Sequence, residues 1–346
     1  MTNTNNNKVK KEKKLGRKLL EVFKHKNKLG KNFFDAVENE DTQTVKNLLD
    51  NALQNKIILN LNQKNEKGLT PLLIASMKNN IIIVKLLIDY ATENKIILKI
   101  NGKDKLTGYY PFFLAIIAKN IEMMKLLIHY ATKNNIILKI NGKNKHGAYP
   151  LLLAPLTGST EVVKLMIDYA TENNIILELN AKESKSRWYP LLTAVIFGNI
   201  EMVKLIMNYA TKNNIILELY GKDTIHGMCP LLFASFQQNT ELIKLLMDYA
   251  NENKLRLDLN RRDDNYNKNP LLIATLKDNL EMVKLLVDYA TKNKIILEVY
   301  GNDDEHRHQF YPLKFALENG NTEMVQLLKD YVEKVKSFKN ENGKGQ

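Results

Sequence analysis

One cysteine and one tryptophan stand among the 346 residues. Cys229 has no second thiol to pair with, so no internal disulfide staples the fold. Despite many asparagines, no Asn-x-Ser/Thr glycosylation acceptor occurs. No apolar run approaches the roughly 18 residues that a membrane span needs. The first fourteen residues are rich in Asn and Lys and lack the apolar stretch of a secretory leader. These absences together predict a reducing, intracellular setting, cytoplasmic or nuclear. A Gly-rich phosphate loop and a paired-carboxylate motif are also missing. The expectation is a non-enzymatic protein with no cofactor and no metal.

Proline is scarce, and its placement is regular. Seven of the eight prolines fall at Pro71, Pro111, Pro150, Pro190, Pro230, Pro270 and Pro312. Four residues after each comes an alanine: Ala75, Ala115, Ala154, Ala194, Ala234, Ala274 and Ala316. A fixed period of about 40 residues is the signature of a solenoid built from one supersecondary unit. Such an array escapes the size limit of a single core, because each unit packs only on its neighbours.

Each unit reads as physics. Proline fits the first position of a helix, where its missing N–H costs nothing. Two apolar residues and the alanine make one face of a short first helix. A polar turn follows, for example Asn79-Asn80 or Gly198-Asn199. An acidic residue then opens most second helices (Glu122, Glu161, Glu201, Glu241, Glu281, Glu323), where it suits the helix dipole. The second unit's helix is expected to run through Tyr90-Ala91 to about Asn94. Ile96 to Asn101 is β-branched and partly alternating, which predicts an extended segment entering a hairpin-like loop.

The net charge of +13 is unevenly placed. Residues 1–31 carry +9, residues 331–346 carry +2, and 32–330 only +2. Residues 1–14 have almost nothing apolar to bury and read as a disordered basic arm. Residues 15–30 hold Leu15, Leu19, Leu20, Val22 and Phe23 at helical spacing, so they read as an amphipathic capping helix. A basic helix that docks on an anionic membrane or a partner groove fits the same pattern. The array covers 31–335, and residues 336–346 read as a frayed tail. Lys10, Lys11, Lys13, Lys14, Arg17 and Lys18 could serve nuclear import, nucleic acid or an anionic membrane. A solubilising tail is the plainer reading of the same run.

These repeated residues resemble the ankyrin repeat family. The match is Pro-Leu-x-x-Ala in the first helix, Glu-x-Val-Lys-Leu-Leu in the second, and an Asn followed by Gly/Ala-Lys-Asp at the loop, as in Asn101-Gly102-Lys103-Asp104. It recurs about eight times over residues 31–335. The family's usual period is 33, so each unit here carries an insertion, centred near Thr92–Leu98. The family's histidine after Pro-Leu is replaced by Leu73, Phe113, Leu152, Leu192, Leu232 and Leu272. The resemblance implies an all-α solenoid of helix-turn-helix units with projecting hairpin-like loops. It further implies a monomer that binds other proteins through its concave face and loop fingers.

Within that frame, repeated positions hold the fold and varying positions are free to bind. Mapped onto this chain, the contact positions of the first helices include Met77, Ile117, Leu156, Ile196, Phe197, Phe236 and Leu276. The loop tips add Arg187, Trp188, Tyr266 and Phe310. Trp188 either packs on the neighbouring finger or anchors a partner, the usual role of Trp at interfaces. The apolar row Met77, Ile117, Leu156, Ile196, Phe236, Leu276 is either an exposed stripe or core covered by the insertion. His306 and His308, with Asp303, Asp304 and Glu305, read as a solvated loop rather than a metal site. Tyr90, Tyr130, Tyr169, Tyr209, Tyr249, Tyr289 and Tyr331 repeat strictly and read as structural.

Overall fold

A computed structural model describes residues 30–300 and 311–342. The basic arm at 1–14, the amphipathic segment at 15–29, Phe310 and the His306–His308 pair lie outside the described residues. The chain divides into two compact units, residues 1–145 and 146–346. Among the described residues every element is helical.

The first unit contains α1 (residues 30–38), α2 (Thr42–Gln54), α3 (Pro71–Met77), α4 (Ile81–Glu93), α5 (Pro111–Ile117) and α6 (Ile121–Lys133). The second contains α7 (Pro150–Leu153), α8 (Thr160–Glu172), α9 (Pro190–Ile196), α10 (Ile200–Lys212), α11 (Pro230–Phe236) and α12 (Thr240–Glu252). It continues with α13 (Pro270–Leu276), α14 (Leu280–Lys292), α15 (Pro312–Glu318) and α16 (Thr322–Asn342). In α7 the eighth proline, Pro155, cannot donate into the helix. The chain tightens there to a 3-10 turn over Ala154–Thr157. Helix α16 runs on to Asn342, so residues 336–342 are helical where loss of periodicity predicts fraying.

The polar turns act as caps. Asn80, Asn120, Asn199, Asn239 and Asn279 each precede a second helix, and each side-chain oxygen accepts from the third N–H of that helix. The residue before each cap is left-handed, such as Asn79 at φ 55° and Gly198 at φ 64°. It closes the first helix through a bond from Asn80 N–H to Ala75 O. First helices are buried almost throughout: α3 buries every residue from Pro71 to Ser76. Thr70 supplies a side-chain cap to α3. At the place of the family's histidine the apolar residues, such as Leu73 and Leu232, are buried.

The insertion explains the long period. Helix α4 ends at Glu93 with Asn94 as its cap, Lys95 turns left-handed at φ 55°, and Ile96 N–H bonds back to Ala91 O. The chain then extends, burying Leu98 and Ile100 and exposing Ile97. The alternation expected of an extended segment is present, yet no strand forms among the described residues. Neighbouring fingers bond directly, Lys145 N–H to Thr107 O, Thr224 N–H to Ser186 O and Asp264 N–H to His226 O. The gap between successive inserted segments is closed differently.

Side chains bridge that gap. The Tyr130 hydroxyl donates to Ile96 O (3.1 Å) and accepts from Leu98 N–H (3.0 Å). Tyr90 does the same to Ile57 and Leu59, Tyr209 to Ile175 and Leu177, and Tyr249 to Ile215 and Leu217. Tyr331 closes the last pair at Ile295 and Leu297. A parallel row of asparagines serves the other edge. Asn62 spans Ile97 O and Lys99 N–H, and Asn101 spans Ile137 O and Lys139 N–H. Asn180 and Asn260 repeat this at residues 216/218 and 296/298.

The fingers close on a carboxylate or amide. Asp104 N–H bonds to Tyr109 O, and its carboxylate accepts from the N–H groups of Leu106, Thr107 and Tyr109. Glu183, Asp223 and Asp263 repeat the arrangement, and Asn65 uses its amide oxygen. Burial acts to raise the Asp104 carboxyl, but hydrogen bonds from Thr107, Tyr109 and Leu106 outweigh it and hold the group below the usual range.

Two outcomes follow. Tyr130→Phe strands two backbone groups and should cost about 1–3 kcal/mol. It should also speed amide exchange at Leu98. Urea unfolding with hydrogen exchange checks this, and a cost below about 0.5 kcal/mol would refute the clamp. The Asp104 turn contributes stability above the ordinary carboxylate range and loses it as pH falls below about 4, since the folded value is depressed. Asp104→Asn, the residue type found at Asn65, should reduce that acid sensitivity. Thermal melts of both proteins at pH 3 and pH 7 test it.

Candidate functional site

The varying positions fall at the ends of the first helices and along the fingers. In the first unit, Met77 ends α3 and Ile117 ends α5, with 52% and 43% of their surface exposed. In the second unit, Leu156 lies on the 3-10 turn, and Ile196, Phe236 and Leu276 end α9, α11 and α13, all half-buried. Phe197, the residue after α9, is half exposed. Tyrosines near the far ends of the second helices pin the insertion; Met77 and Ile117 are exposed, while the other first-helix ends of the row keep only part of their surface open.

The second unit brings several of these residues around one groove. A cavity of about 380 Å³ is lined by Leu272, Leu276, Phe315, Tyr266, Asn267, Arg262 and Lys268. A second, of about 220 Å³, is lined by Phe236, Ile273, Leu276, Lys268 and Lys277. Leu276 and Lys268 belong to both, so the two form one apolar floor with a basic rim. Tyr266 is 66% exposed, and the Lys268 ammonium lies 5.1 Å from its ring centre, a cation–π contact. Arg262 donates to Asn267 O and pairs with Glu298, which fixes that edge.

Phe236, Tyr266 and Leu276 stand among the varying positions read from the sequence, whereas Phe315, Arg262 and Lys268 do not. Phe315 occupies the third position after Pro312, where Ile74 and Ile273 are core. Its partial exposure is set by what packs on α15, which no sequence pattern reports.

Trp188 lies at the end of its finger and is half-buried. Its indole N–H is buried and has no acceptor among the described residues. Arg187 beside it is exposed and left-handed, at φ 58°. Tyr189, the next residue, turns fully inward, and its hydroxyl bonds to Gly221 O. The Tyr189 ring lies where a Cβ on Gly221 would meet it at 2.7 Å, so only glycine fits. In the following finger the tyrosine's place is taken by Cys229, and that of the glycine by Arg261. Arg261 lies close enough to act on the thiol.

The chemistry of the remaining candidates is plain. Cys229 is buried, and burial pushes its thiol up, away from the thiolate a nucleophile needs. Among the described residues no group of three or more His, Cys, Asp or Glu could hold a metal ion. No described helix is long and apolar enough to cross a membrane.

Comparison with known proteins bears on the fold. A solved structure, the ankyrin repeat domain of Bcl-3, described as a unique member of the IkappaB protein family, superposes with a TM-score of 0.50 at 20% identity. The match covers 74% of this chain and 97% of that one. No curated protein matches in sequence. The model of ankyrin repeats (3 copies) matches residues 33–137, 128–216 and 207–296, together spanning 33–296 without a gap. The chain belongs to the ankyrin repeat family.

Proposed function

We propose that this chain is a protein-binding scaffold that works by surface burial and carries out no chemistry. The observation that carries the reading is the groove of the second unit, where Phe236, Leu276 and Phe315 form an apolar floor beside the finger that carries Tyr266 and Lys268. Apolar clefts with a few polar groups at the rim are ordinary binding sites. Family membership supports the same reading, since ankyrin arrays act mostly as protein-binding modules. The first-helix ends Met77, Ile117, Leu156, Ile196 and Phe197 extend the surface within their own units. Arg187 and Trp188 supply a second contact point on the fingers.

Trp188 has a distinct part in this reading. A buried donor without a partner costs about 1–3 kcal/mol. That donor is buried beyond the reach of a docking partner, so what Trp188 offers at a contact is its ring. The half-buried ring supplies apolar area at the same contact.

A photo-crosslinking residue at position 236 or 276 should capture a discrete protein partner, while the same residue at exposed position 85, on α4, should not. Equal capture at all three positions would overturn the groove assignment. With that partner in hand, Phe236→Ala combined with Leu276→Ala should weaken affinity by about 2 kcal/mol or more. Trp188→Phe separates packing from hydrogen bonding. It removes an unpartnered buried donor, so it should leave the free protein as stable or slightly more so and change binding little, whereas Trp188→Ala should weaken binding by about 1 kcal/mol or more. Calorimetric binding unchanged by Trp188→Ala would remove Trp188 from the interface.

A further inference from the structure

The insertions carry a second row, isoleucine in every repeat but the one with Arg256, that is not buried. Ile58, Ile97 and Ile137 in the first unit are each 55–58% exposed. Residues that recur at a fixed position in an array ordinarily report packing, and these pack on little. They lie side by side. The Asn62 amide joins its segment to Ile97 and Lys99, and Asn101 joins the next to Ile137 and Lys139. Because side chains alternate, Lys99 and Lys139 are exposed on the same side as Ile97 and Ile137, while Leu98 and Leu138 are buried.

The charge beside the row is of one sign. Segments 56–64, 95–103 and 135–143 contain seven lysines and no Asp or Glu. The near-neutral sum over 32–330 conceals this. Residues 30–145 hold seventeen lysines against ten Asp/Glu, a net +7, whereas residues 146–300 hold seventeen Lys/Arg against eighteen acids. In the second unit the places of Lys99 and Lys139 are taken by Glu178, Glu218, Asp258 and Glu298. Arg256 interrupts the isoleucines there. Glu218 and Glu298 are paired with Lys182 and Arg262.

We propose that this ridge of the first unit docks on an anionic phospholipid surface. Ile58, Ile97 and Ile137 enter the headgroup–acyl boundary, and Lys99 and Lys139 meet lipid phosphates. Exposed apolar tips beside lysines are the physical requirement for interfacial binding. Clustered lysines near an anionic leaflet add an attraction that salt screens. A peptide partner is less suited to the ridge. The carbonyls of Ile97 and Ile137 and the N–H groups of Lys99 and Lys139 are already taken by asparagine, so no backbone edge is open to an added strand. The inference concerns a different surface from the groove of the second unit and stands independently of it.

Co-sedimentation of the full chain with vesicles of phosphatidylcholine alone, and of phosphatidylcholine with 30 mol% phosphatidylserine, tests this. Binding is expected only with phosphatidylserine and should weaken as salt rises. Ile58→Ser/Ile97→Ser/Ile137→Ser and Lys99→Glu/Lys139→Glu should each lower partitioning by about tenfold or more. The matched Ile176→Ser/Ile216→Ser/Ile296→Ser protein should bind as the parent does. All these positions are at least partly exposed, and thermal melts confirm that each variant folds. The proposal is overturned by absence of binding to anionic vesicles, by binding that the first-unit variants leave intact, or by equal loss in the second-unit control. Self-association in light scattering that the first-unit Ser variant abolishes would assign the row to a second copy. Binding to a polyglutamate peptide without vesicle binding would assign it to an acidic protein.

Discussion

The hydroxyl of the tyrosine in the second helices from α4 onward is the constraint on which this array depends. Successive inserted segments form no strand among the described residues. Their backbone groups still need partners, because an unpaired buried N–H or C=O is costly. Tyrosine is long enough to reach from one repeat into the segment of the previous one, and its hydroxyl can donate and accept at once. Asparagine does the same on the other edge with its amide. Each clamp joins two repeats, so it contributes to the interface between units rather than to a unit's own stability, the term that makes such arrays cooperative.

This arrangement separates two surfaces. The insertions sit where the tyrosines hold them, and the ends of the first helices are left partly open. In the second unit that openness becomes a groove, because Phe236, Leu276 and Phe315 come from successive first helices while Tyr266 and Lys268 rise from a finger. In the first unit the insertions expose isoleucine and lysine side by side. The same backbone plan thus presents apolar area in two places with different chemistry. One is a walled groove suited to a protein side chain, and the other is a ridge of separate tips.

A rule that serves repeat arrays well, that recurring residues hold the fold and varying ones bind, holds here only in part. Tyr90 and its counterparts obey it. Ile97 and its counterparts do not, since they recur and remain exposed. Tyr110, Tyr149 and Tyr189, each just before its proline, obey it as well, since all three are fully buried, and Gly221 is shaped around Tyr189.

The period of the prolines and alanines determined the helix pairs, the length of the second helices to Asn94 and the structural role of the tyrosines. Those are local facts, fixed by residues that recur at helical spacing and by what proline permits at a helix start. The sequence also placed Phe236, Tyr266 and Leu276 among the varying positions. It could not show that they share a floor with Phe315, or that the indole N–H of Trp188 has no acceptor among the described residues, because both depend on neighbours about 40 residues away. Nor could β-branched alternation over Ile96–Asn101 reveal that no strand would form. The backbone groups there are met instead by tyrosine and asparagine side chains of neighbouring repeats, which reach the segment only once the repeats are packed.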